Sequence, residues 1–306
     1  MQRPNVLAGS GLDRAHLLRS DRDWQAAARA DPASRWVAVS GTDVPVLEAD
    51  GGPRAGAVSV ERLAPLLEAG PPPVFLGVDG ETALFAADVS SVPEPEVAVA
   101  LAPARLASLR EVGALISQRE GGLLAYASAM LAWHARHRFC GVCGSPTVVE
   151  DAGHLVVCTN PADGARHFPR TDPVVIMLVT DGDRALLGRQ AVWPPGRYSA
   201  LAGYVEPGES IEEAVAREVA EEAGIEVDAV TYRSSQPWPF PSSLMLGFTA
   251  GLAGSGDVRF DDDELEDVRW FERDELRGAA DAGDVLLPPP VAIARRLIDD
   301  WLGEDC

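Results

Sequence analysis

The chain has 306 residues, a length that suits two domains and a small module better than one core. Its 46% hydrophobic and 24% charged residues exclude a disordered protein, and its net charge of −21, with no lysine, disfavours indiscriminate binding to nucleic-acid backbones. No apolar run reaches the roughly 18 residues that cross a bilayer, and the first twenty residues lack a signal-peptide pattern, so we expect a cytoplasmic protein without a membrane partner.

Residues 1–125 predict an accessory domain without a recognisable site. Short apolar runs alternate with turn signals there, and residues 36–39, 74–78 and 83–86 have the apolar character of buried strands. The three prolines before Val74 fit a loop that enters a strand. We predict a mixed α/β or β-rich fold for this segment and assign no chemistry to it.

A helical pattern and a pair of cysteines mark a second, small module at residues 126–170. Apolar residues recur at helical spacing between Glu120 and His137. The chain then reads Cys140-Gly-Val-Cys143-Gly, and this spacing lets two thiolates reach one metal ion. A cytosolic pair of this kind indicates metal or redox chemistry and not a structural disulfide. We favour metal, because no thioredoxin-like βαβ pattern surrounds the pair.

The second half of this metal site is irregular, because Cys158 is not followed by a fourth cysteine at the usual spacing. Asp163 comes after four intervening residues and precedes a glycine, as a ligand of such a module would, whereas His167 is chemically the better zinc ligand. We predict a zinc-ribbon-like module with a structural Zn²⁺, with Asp163 as the fourth ligand and His167 as the alternative. Loss of zinc is the third interpretation. The expected ligand set is Cys140, Cys143, Cys158 and Asp163.

Residues 203–225 contain the strongest pattern in the chain, a loop followed by a helix. Ser210 is a favourable N-cap residue, and Glu213 follows three positions later in the capping-box arrangement. Apolar positions then recur at helical spacing, and Gly224 stands where a helix ends in the left-handed conformation. Gly203, before the helix, allows the loop to approach a cation site closely.

Three glutamates share one face of this predicted helix at positions i, i+3 and i+4, namely Glu218, Glu221 and Glu222. Like charges at this spacing destabilise an isolated helix by roughly 0.2–0.5 kcal/mol per pair, and a hard cation between them reverses the effect. Mg²⁺ and Mn²⁺ prefer carboxylate oxygens, and they polarise phosphoryl oxygens and lower the pKa of bound water. A solvated glutamate-rich face is the alternative for a single pair, but here every defined position of a longer motif is met.

The pattern Gly-x5-Glu-x7-Arg-Glu-x2-Glu-Glu-x-Gly resembles the box of the Nudix hydrolases. The resemblance implies an α/β fold for residues 171–306, with a mixed sheet between helices, and hydrolysis of a nucleoside diphosphate linked to another group. It implies metal-binding and catalytic roles for the three glutamates, with Glu222 as the base or principal ligand. It also implies an ion pair of Glu209 with Arg217 that holds the loop, and a fourth metal ligand at Glu264.

The run from Ser235 to Met245 narrows the substrate class. It reads Ser-Gln-Pro-Trp-Pro-Phe-Pro-Ser-Ser-Leu-Met, and its three prolines predict a stiff, extended loop that presents Trp238 and Phe240 with little entropy to lose. Such rings stack a planar heterocycle or plug a core, and we place Trp238 among the substrate contacts. The run resembles the SQPWPFPxS signature of the NADH pyrophosphatase (NudC-type) subgroup of Nudix hydrolases. That resemblance, which covers the chain from about Leu131 onward, implies cleavage of NADH or NAD to NMN(H) and AMP and removal of NAD caps from RNA 5′ ends.

The same resemblance assigns further substrate contacts. It implies that Tyr204 and Phe168 sandwich the nicotinamide, the second ring coming from the partner subunit, and therefore a homodimer. It implies that Ser243, Met245 and Ala294 line the nucleotide pocket. Each of these side chains, taken by itself, is more simply explained by core packing, so the assignment depends on the resemblance.

Three alternatives stay open on the sequence. The first is a Nudix hydrolase for another dinucleotide, such as ADP-ribose or a nucleotide sugar. The second is that NAD-capped RNA, and not free NAD(H), is the physiological substrate, for which the sequence offers only a small basic patch at residues 136–138. The third is a non-catalytic zinc-ribbon interaction protein, and the complete box argues against it.

Overall fold

The computed structural model of the protein describes residues 4–67, 70–260 and 265–303. Glu264, the predicted fourth metal ligand of the box, lies outside the described residues. The chain divides into two compact units. The N-terminal unit comprises residues 6–171 and 237–242. The C-terminal unit comprises, among the described residues, 4–5, 172–236 and 243–303.

The N-terminal unit mixes helices and strands. Its helices are α1 (Arg22–Ala30), α2 (Val60–Leu67), α3 (Glu94–Leu101), α4 (Leu109–Val112) and α5 (Gln118–Arg136). Its strands are β1 (Arg35–Val39), β2 (Asp43–Leu47), β3 (Arg54–Ala55), β4 (Val74–Asp79), β5 (Thr82–Asp88), β6 (Arg105–Ser108), β7 (Thr147–Glu150), β8 (Leu155–Cys158) and β9 (Arg166–His167).

Two small sheets surround the core of this unit. One has the order β1-β5-β4, with β1 parallel and β4 antiparallel to β5, and the other has the order β3-β2-β6 with antiparallel pairing. Trp36 stacks on Phe85 with ring centroids 4.7 Å apart, and Phe75 packs against Phe85. These buried aromatic residues explain why the sequence predicts strands there, and the mixed α/β interpretation is confirmed.

Helix α5 leads directly into a third sheet of the N-terminal unit, with the order β7-β8-β9. Ser117 caps the helix by accepting a hydrogen bond from the backbone amide of Glu120, and the helix ends at Arg136. The helix predicted between Glu120 and His137 is therefore confirmed. The small antiparallel sheet that follows has three short strands, of four, four and two residues, so we expect it to need another source of stability.

The C-terminal unit contains a six-stranded mixed sheet and three helices among its described residues. Its strands are β10 (Asp172–Asp181), β11 (Arg184–Arg189), β12 (Leu201–Tyr204), β13 (Glu226–Trp238, whose last two residues belong to the N-terminal unit), β14 (Ser243–Ala253) and β15 (Asp267–Glu272). Its helices are α6 (Ile211–Ala223), α7 (Arg273–Ala282) and α8 (Ile293–Leu302).

Strand β10 is central to this sheet, because it pairs with three other strands and is buried on both faces. It pairs parallel with β14 and antiparallel with β11 and β12. Val175, Met177 and Val179 point to one face and pack with apolar residues of α6, whereas Ile176 and Leu178 point to the other face and pack with α8. The result is a mixed sheet between helices, as the resemblance to the Nudix hydrolases implies.

Within the part of the chain that the structure describes, no helix is both long and apolar enough to cross a membrane.

Candidate active site and metal centre

The catalytic candidates lie on helix α6, whose ends form as the sequence predicts. The Ser210 hydroxyl accepts a hydrogen bond from the Glu213 amide, and the Glu213 carboxylate accepts one from the Ser210 amide at 2.8 Å, so the capping box is complete. Gly224 ends the helix in the left-handed conformation with φ 66°. The caps fix the ends of the helix, and the packing of Ala214, Val215 and Val219 in the apolar core sets its rotation and hence the direction in which its glutamates point.

Arg217 joins the loop before the helix to two of the three glutamates. Its guanidinium donates to both carboxylate oxygens of Glu209, at 2.6 and 3.0 Å. One further nitrogen, Nη1, donates to Glu218 at 2.7 Å and to Glu221 at 2.9 Å. The other terminal nitrogen, Nη2, also donates to the backbone oxygen of Tyr204 at 2.8 Å. The predicted ion pair with Glu209 is present, and these carboxylates raise the pKa of Arg217 further above its ordinary value.

The three glutamates differ in their exposure to solvent. Glu222 is buried, with 7% of its surface exposed, Glu218 is half-buried, and the Glu221 side chain is 61% exposed. Glu218 and Glu221 already converge on one positively charged nitrogen, which shows that their carboxylates can share a cation. Carboxylate oxygens are the donors that Mg²⁺ and Mn²⁺ prefer, so the donor chemistry of these glutamates fits a divalent metal ion.

The run from Ser235 to Met245 differs from the expected extended loop. Its first residues complete β13, which ends at Trp238, a turn follows, and β14 begins at Ser243. Proline suits this arrangement because its fixed φ is compatible with extended backbone. Strand pairing, which the local sequence does not encode, therefore turns the predicted loop into a hairpin with a short turn at residues 239–242.

Several of the predicted substrate contacts share one face of the C-terminal sheet. Val174 pairs with both Tyr204 and Met245, so these two side chains lie in one row across the strands. Their face is the one on which α8 packs, and Ala294 of that helix is buried in the same apolar cluster as Met245. Ser243 is buried at the start of β14. The structure thus brings Tyr204, Met245 and Ala294 to one side of the sheet, and their contact with substrate stays a prediction.

Two predicted contacts, Phe168 and Trp238, lie in the N-terminal unit. Phe168, just after β9, is 63% exposed, and Tyr204, a predicted contact of the C-terminal unit, is 59% exposed. Trp238 forms an edge-to-face pair with Phe240, with ring centroids 5.0 Å apart, and both rings lie beneath the guanidinium of Arg110. Exposed aromatic rings such as Phe168 and Tyr204 are available to a planar ligand.

The zinc candidates form a cluster at one end of the small sheet. The potential ligand atoms of Cys140, Cys143, Cys158 and Asp163 all lie within 4.8 Å of one another. The sulfur atoms of Cys143 and Cys158 are 3.4 Å apart, and the Cys140 thiol donates to Asp163 at 3.0 Å. This hydrogen bond is the largest of the contacts that lower the pKa of Asp163. Three thiols and a carboxylate at this spacing fit a tetrahedral zinc ion.

His167, the alternative fourth ligand, is also near the cluster. Its Nε2 lies 3.3 Å from the sulfur of Cys140. Residues 166–167 form β9, which pairs with β8 so that His167 faces Val156, two positions before Cys158 on the same side of that strand. Asp163 belongs to the four-residue cluster, as predicted, and His167 contacts it from the neighbouring strand.

Comparisons with known families match the whole arrangement in chain order. Residues 33–133 match a family model described as "NADH pyrophosphatase-like rudimentary NUDIX domain". Residues 135–168 match one described as "NADH pyrophosphatase zinc ribbon domain", and residues 170–288 match the NUDIX domain.

Similar proteins extend the match over nearly the full chain. Two relatives named NAD-capped RNA hydrolase NudC, from Mycobacterium bovis (strain BCG / Pasteur 1173P2) and Mycobacterium tuberculosis (strain H37Rv), are each 42% identical over 310 residues, which cover 97% of this chain and 94% of theirs. The chain belongs to the NADH pyrophosphatase (NudC-type) group of the Nudix hydrolases. NAD-capped RNA hydrolase NUDT12 from Homo sapiens is 45% identical over 198 residues, which cover 61% of this chain and 43% of that protein.

Two residues that the sequence did not single out hold the signature run of this Nudix protein in place. Gln236 is 1% exposed, and its side chain donates to the backbone oxygen of Val291 and accepts from the amide of Ile293, each at 2.8 Å. Asn5 donates to the backbone oxygen of Ser235 at 2.7 Å. Gln236 thereby fixes the start of α8, which carries Ala294. Only its place within the signature run could have drawn attention to it.

Gly203 has a steric role that a substitution can test. A Cβ atom built on this residue of β12 would overlap the carboxylate of Glu218. Gly203→Ala should therefore displace Glu218 and lower kcat/KM for the diphosphate substrate by roughly 10²-fold, the size of effect that a misplacement of about 1 Å causes. Gly278→Ala, on α7, is the control because its added Cβ meets no atom of the described residues within 4 Å beyond its chain neighbours and its own helix backbone. Equal activity of the two variants would contradict this role.

The Glu209–Arg217 ion pair should make stability depend on pH. Arg217 holds the pKa of Glu209 below its ordinary 4.5, so the pair stabilises the fold fully above pH 4.5 and loses this effect as the pH falls through the lower folded-state pKa. We expect Glu209→Gln to be less stable than wild type at pH 7, and the difference to shrink below about pH 4.5. Urea unfolding at several pH values measures this, and a difference that is independent of pH would refute it.

Proposed function

We propose that this Nudix hydrolase cleaves the diphosphate of NADH or NAD to NMN(H) and AMP, and that it also removes NAD caps from RNA 5′ ends. The observation that carries the proposal is that one chain combines the three glutamates of α6 with the Ser235–Met245 signature run. The names of the NudC relatives, NAD-capped RNA hydrolases, support the same substrate class.

The reaction adds one water across the diphosphate. A new phosphorus–oxygen bond forms to the water oxygen, the bridging phosphorus–oxygen bond breaks, and two monophosphates leave. Bound Mg²⁺ or Mn²⁺ would supply polarisation of the phosphoryl oxygens and acidification of the water. Glu218, Glu221 and Glu222 hold the metal in this proposal, with Glu264 as a fourth ligand. Glu222, being buried, is the best placed of the three to keep a fixed orientation.

Aromatic residues would recognise the nicotinamide end of the substrate. We assign this role to Tyr204 and to Phe168 of the partner subunit in a homodimer, because both rings are largely exposed. Ser243, Met245 and Ala294 line the nucleotide pocket in this proposal. Size-exclusion chromatography with light scattering tests the dimer, and a monomer at working concentrations would remove the second ring from the site.

The zinc ribbon has a structural role in this proposal. Three cysteines and Asp163 close all four positions of a tetrahedral site, so no position is left at which zinc could activate water. Reduced thiols are required to hold the metal, and this suits the cytoplasm, the compartment that we propose.

Product analysis tests the proposed activity directly. The purified full-length protein is incubated with NADH and Mg²⁺ or Mn²⁺, and we expect NMNH and AMP in equal amounts. Parallel reactions with ADP-ribose, a nucleotide sugar and NAD-capped RNA rank the substrates by kcat/KM. Cleavage of ADP-ribose at a much higher kcat/KM than NADH or capped RNA would overturn the assignment in favour of the alternative Nudix substrate class.

A further inference from the structure

The tip of the signature hairpin belongs to the N-terminal unit. Strand β13 ends at Trp238 and β14 begins at Ser243, yet residues 237–242 form one compact unit with residues 6–171. The body of the hairpin carries Gln236, Ser243 and Met245 in the C-terminal unit. Because the hairpin is one continuous stretch of chain, its tip links the N-terminal unit covalently to the predicted substrate contacts of the C-terminal unit.

Arg110 of the N-terminal unit contacts both aromatic rings of this tip. The guanidinium carbon of Arg110 lies 4.4 Å from the ring centroid of Phe240 and 5.5 Å from that of Trp238. Both distances are within the roughly 6 Å range of cation–π attraction to tryptophan and phenylalanine rings. The two rings are themselves packed edge to face, and the Phe240 amide donates to the backbone oxygen of Trp238 at 2.8 Å. One cation thus fixes both rings and the turn between them.

The backbone at Arg110 is held in place by buried neighbours. It lies on the one-turn helix α4, whose neighbouring residues Leu109 and Val112 are buried, at 0% and 7% exposure. An anchored backbone on each side of an exposed arginine restricts where its guanidinium can reach, so less entropy is lost when it stacks on the rings.

We propose that Arg110 is a positioning residue for substrate binding, acting through Trp238 and Phe240 on the hairpin that carries the predicted nucleotide pocket. The inference rests on the proposed NAD(H) diphosphatase function. Ser243 is the third residue after Phe240. A change in the position of the turn would therefore displace the backbone of the predicted nucleotide pocket directly. The glutamates of α6 are held separately, by Arg217 and the capping box, so Arg110 should affect KM and leave kcat nearly unchanged.

The kinetic test compares Arg110→Ala with Arg110→Lys and with the control Arg105→Ala. Arg105 is an exposed arginine of the same unit that pairs with Glu48 and touches no aromatic ring of the hairpin in the described contacts. We expect Arg110→Ala to raise KM for NADH roughly fivefold with kcat within twofold of wild type. Lysine keeps the charge but not the planar stacking surface, so Arg110→Lys should fall between the two. Arg105→Ala should match wild type.

A second measurement separates this inference from the proposed function. Hydrogen exchange of the amides at residues 234–246 should be faster in Arg110→Ala than in wild type or Arg105→Ala, and this readout needs no substrate. An unchanged KM, a fall in kcat at constant KM, or unchanged exchange at the hairpin would each overturn the positioning role. Failure of the wild-type protein to cleave NADH would count against the proposed function. The exchange data would then still test whether Arg110 holds the hairpin tip.

Discussion

Glu222→Gln should lower kcat for NADH by at least about 10²–10³-fold, the size of effect that removal of one charge-stabilising group has in an active site. Glutamine has nearly the same shape as glutamate, so the buried position on α6 should still be filled. Removing one of three like charges on a helix face relieves repulsion, and we therefore expect the metal-free variant to be at least as stable as wild type. The enzyme should be inactive because its metal site is damaged, and not because it unfolds.

The control for this experiment lies on the same helix. Glu212→Gln removes an identical charge from an exposed position in the first turn of α6 and should leave kcat within about twofold of wild type. Thermal unfolding with and without Mn²⁺ adds a readout that is independent of turnover, since a metal that binds only the folded state raises its stability. Wild type and Glu212→Gln should show this rise, and Glu222→Gln should not. Near-normal turnover of Glu222→Gln would refute the active-site assignment.

Removal of zinc should destabilise the N-terminal unit more than any single substitution on its surface. Structural zinc sites contribute folding free energy outright, and the sheet β7-β8-β9 has only short strands, of four, four and two residues, to hold it together otherwise. Cys143→Ser is the sharpest variant because Cys143 is exposed, so the change removes a ligand and little packing. We expect the bound zinc to fall from one ion per chain to none and the unfolding temperature to fall by roughly 10 °C.

Cys306→Ser provides the matched control, since it makes the same chemical change at a cysteine outside the predicted ligand set. Elemental analysis and thermal unfolding measure both effects. Full zinc occupancy in Cys143→Ser would contradict the predicted site.

The fourth ligand can be identified with one further pair of variants. Asp163→Ala should lose zinc, and His167→Ala should retain it, because Asp163 belongs to the cluster within 4.8 Å. The reverse result would move the fourth ligand to His167, whose Nε2 also lies 3.3 Å from the Cys140 sulfur.

The sequence alone predicted helix α6 almost completely, because every part of that prediction is local. A capping box needs residues three positions apart, a helix places i, i+3 and i+4 on one face, and a terminal glycine ends the helix. The structure confirms Ser210, Glu213 and Gly224 in these roles. The helix α5 and the buried strands of the N-terminal unit are confirmed for the same reason, since their apolar periodicity is carried by adjacent residues.

The tertiary structure decided the features that depend on residues far apart in the chain. The three prolines between Gln236 and Ser242 predicted an extended loop, and pairing of β13 with β14 made a hairpin instead. Gln236 meets Val291 and Ile293 more than fifty positions away, and Arg110 meets Trp238 across an even longer separation. No local periodicity reports such contacts, because they form only when folding has closed the intervening chain.

The zinc cluster lies between these two cases. The spacing of Cys140 and Cys143 is a local signal, and it predicted the metal site without help from the fold. The sequence did not determine the choice among Asp163, His167 and loss of zinc. That choice depends on how the turn after β8 folds back toward Cys140 and Cys143. That turn brings the Asp163 carboxylate to 3.0 Å from the Cys140 sulfur, a distance that only the folded chain fixes.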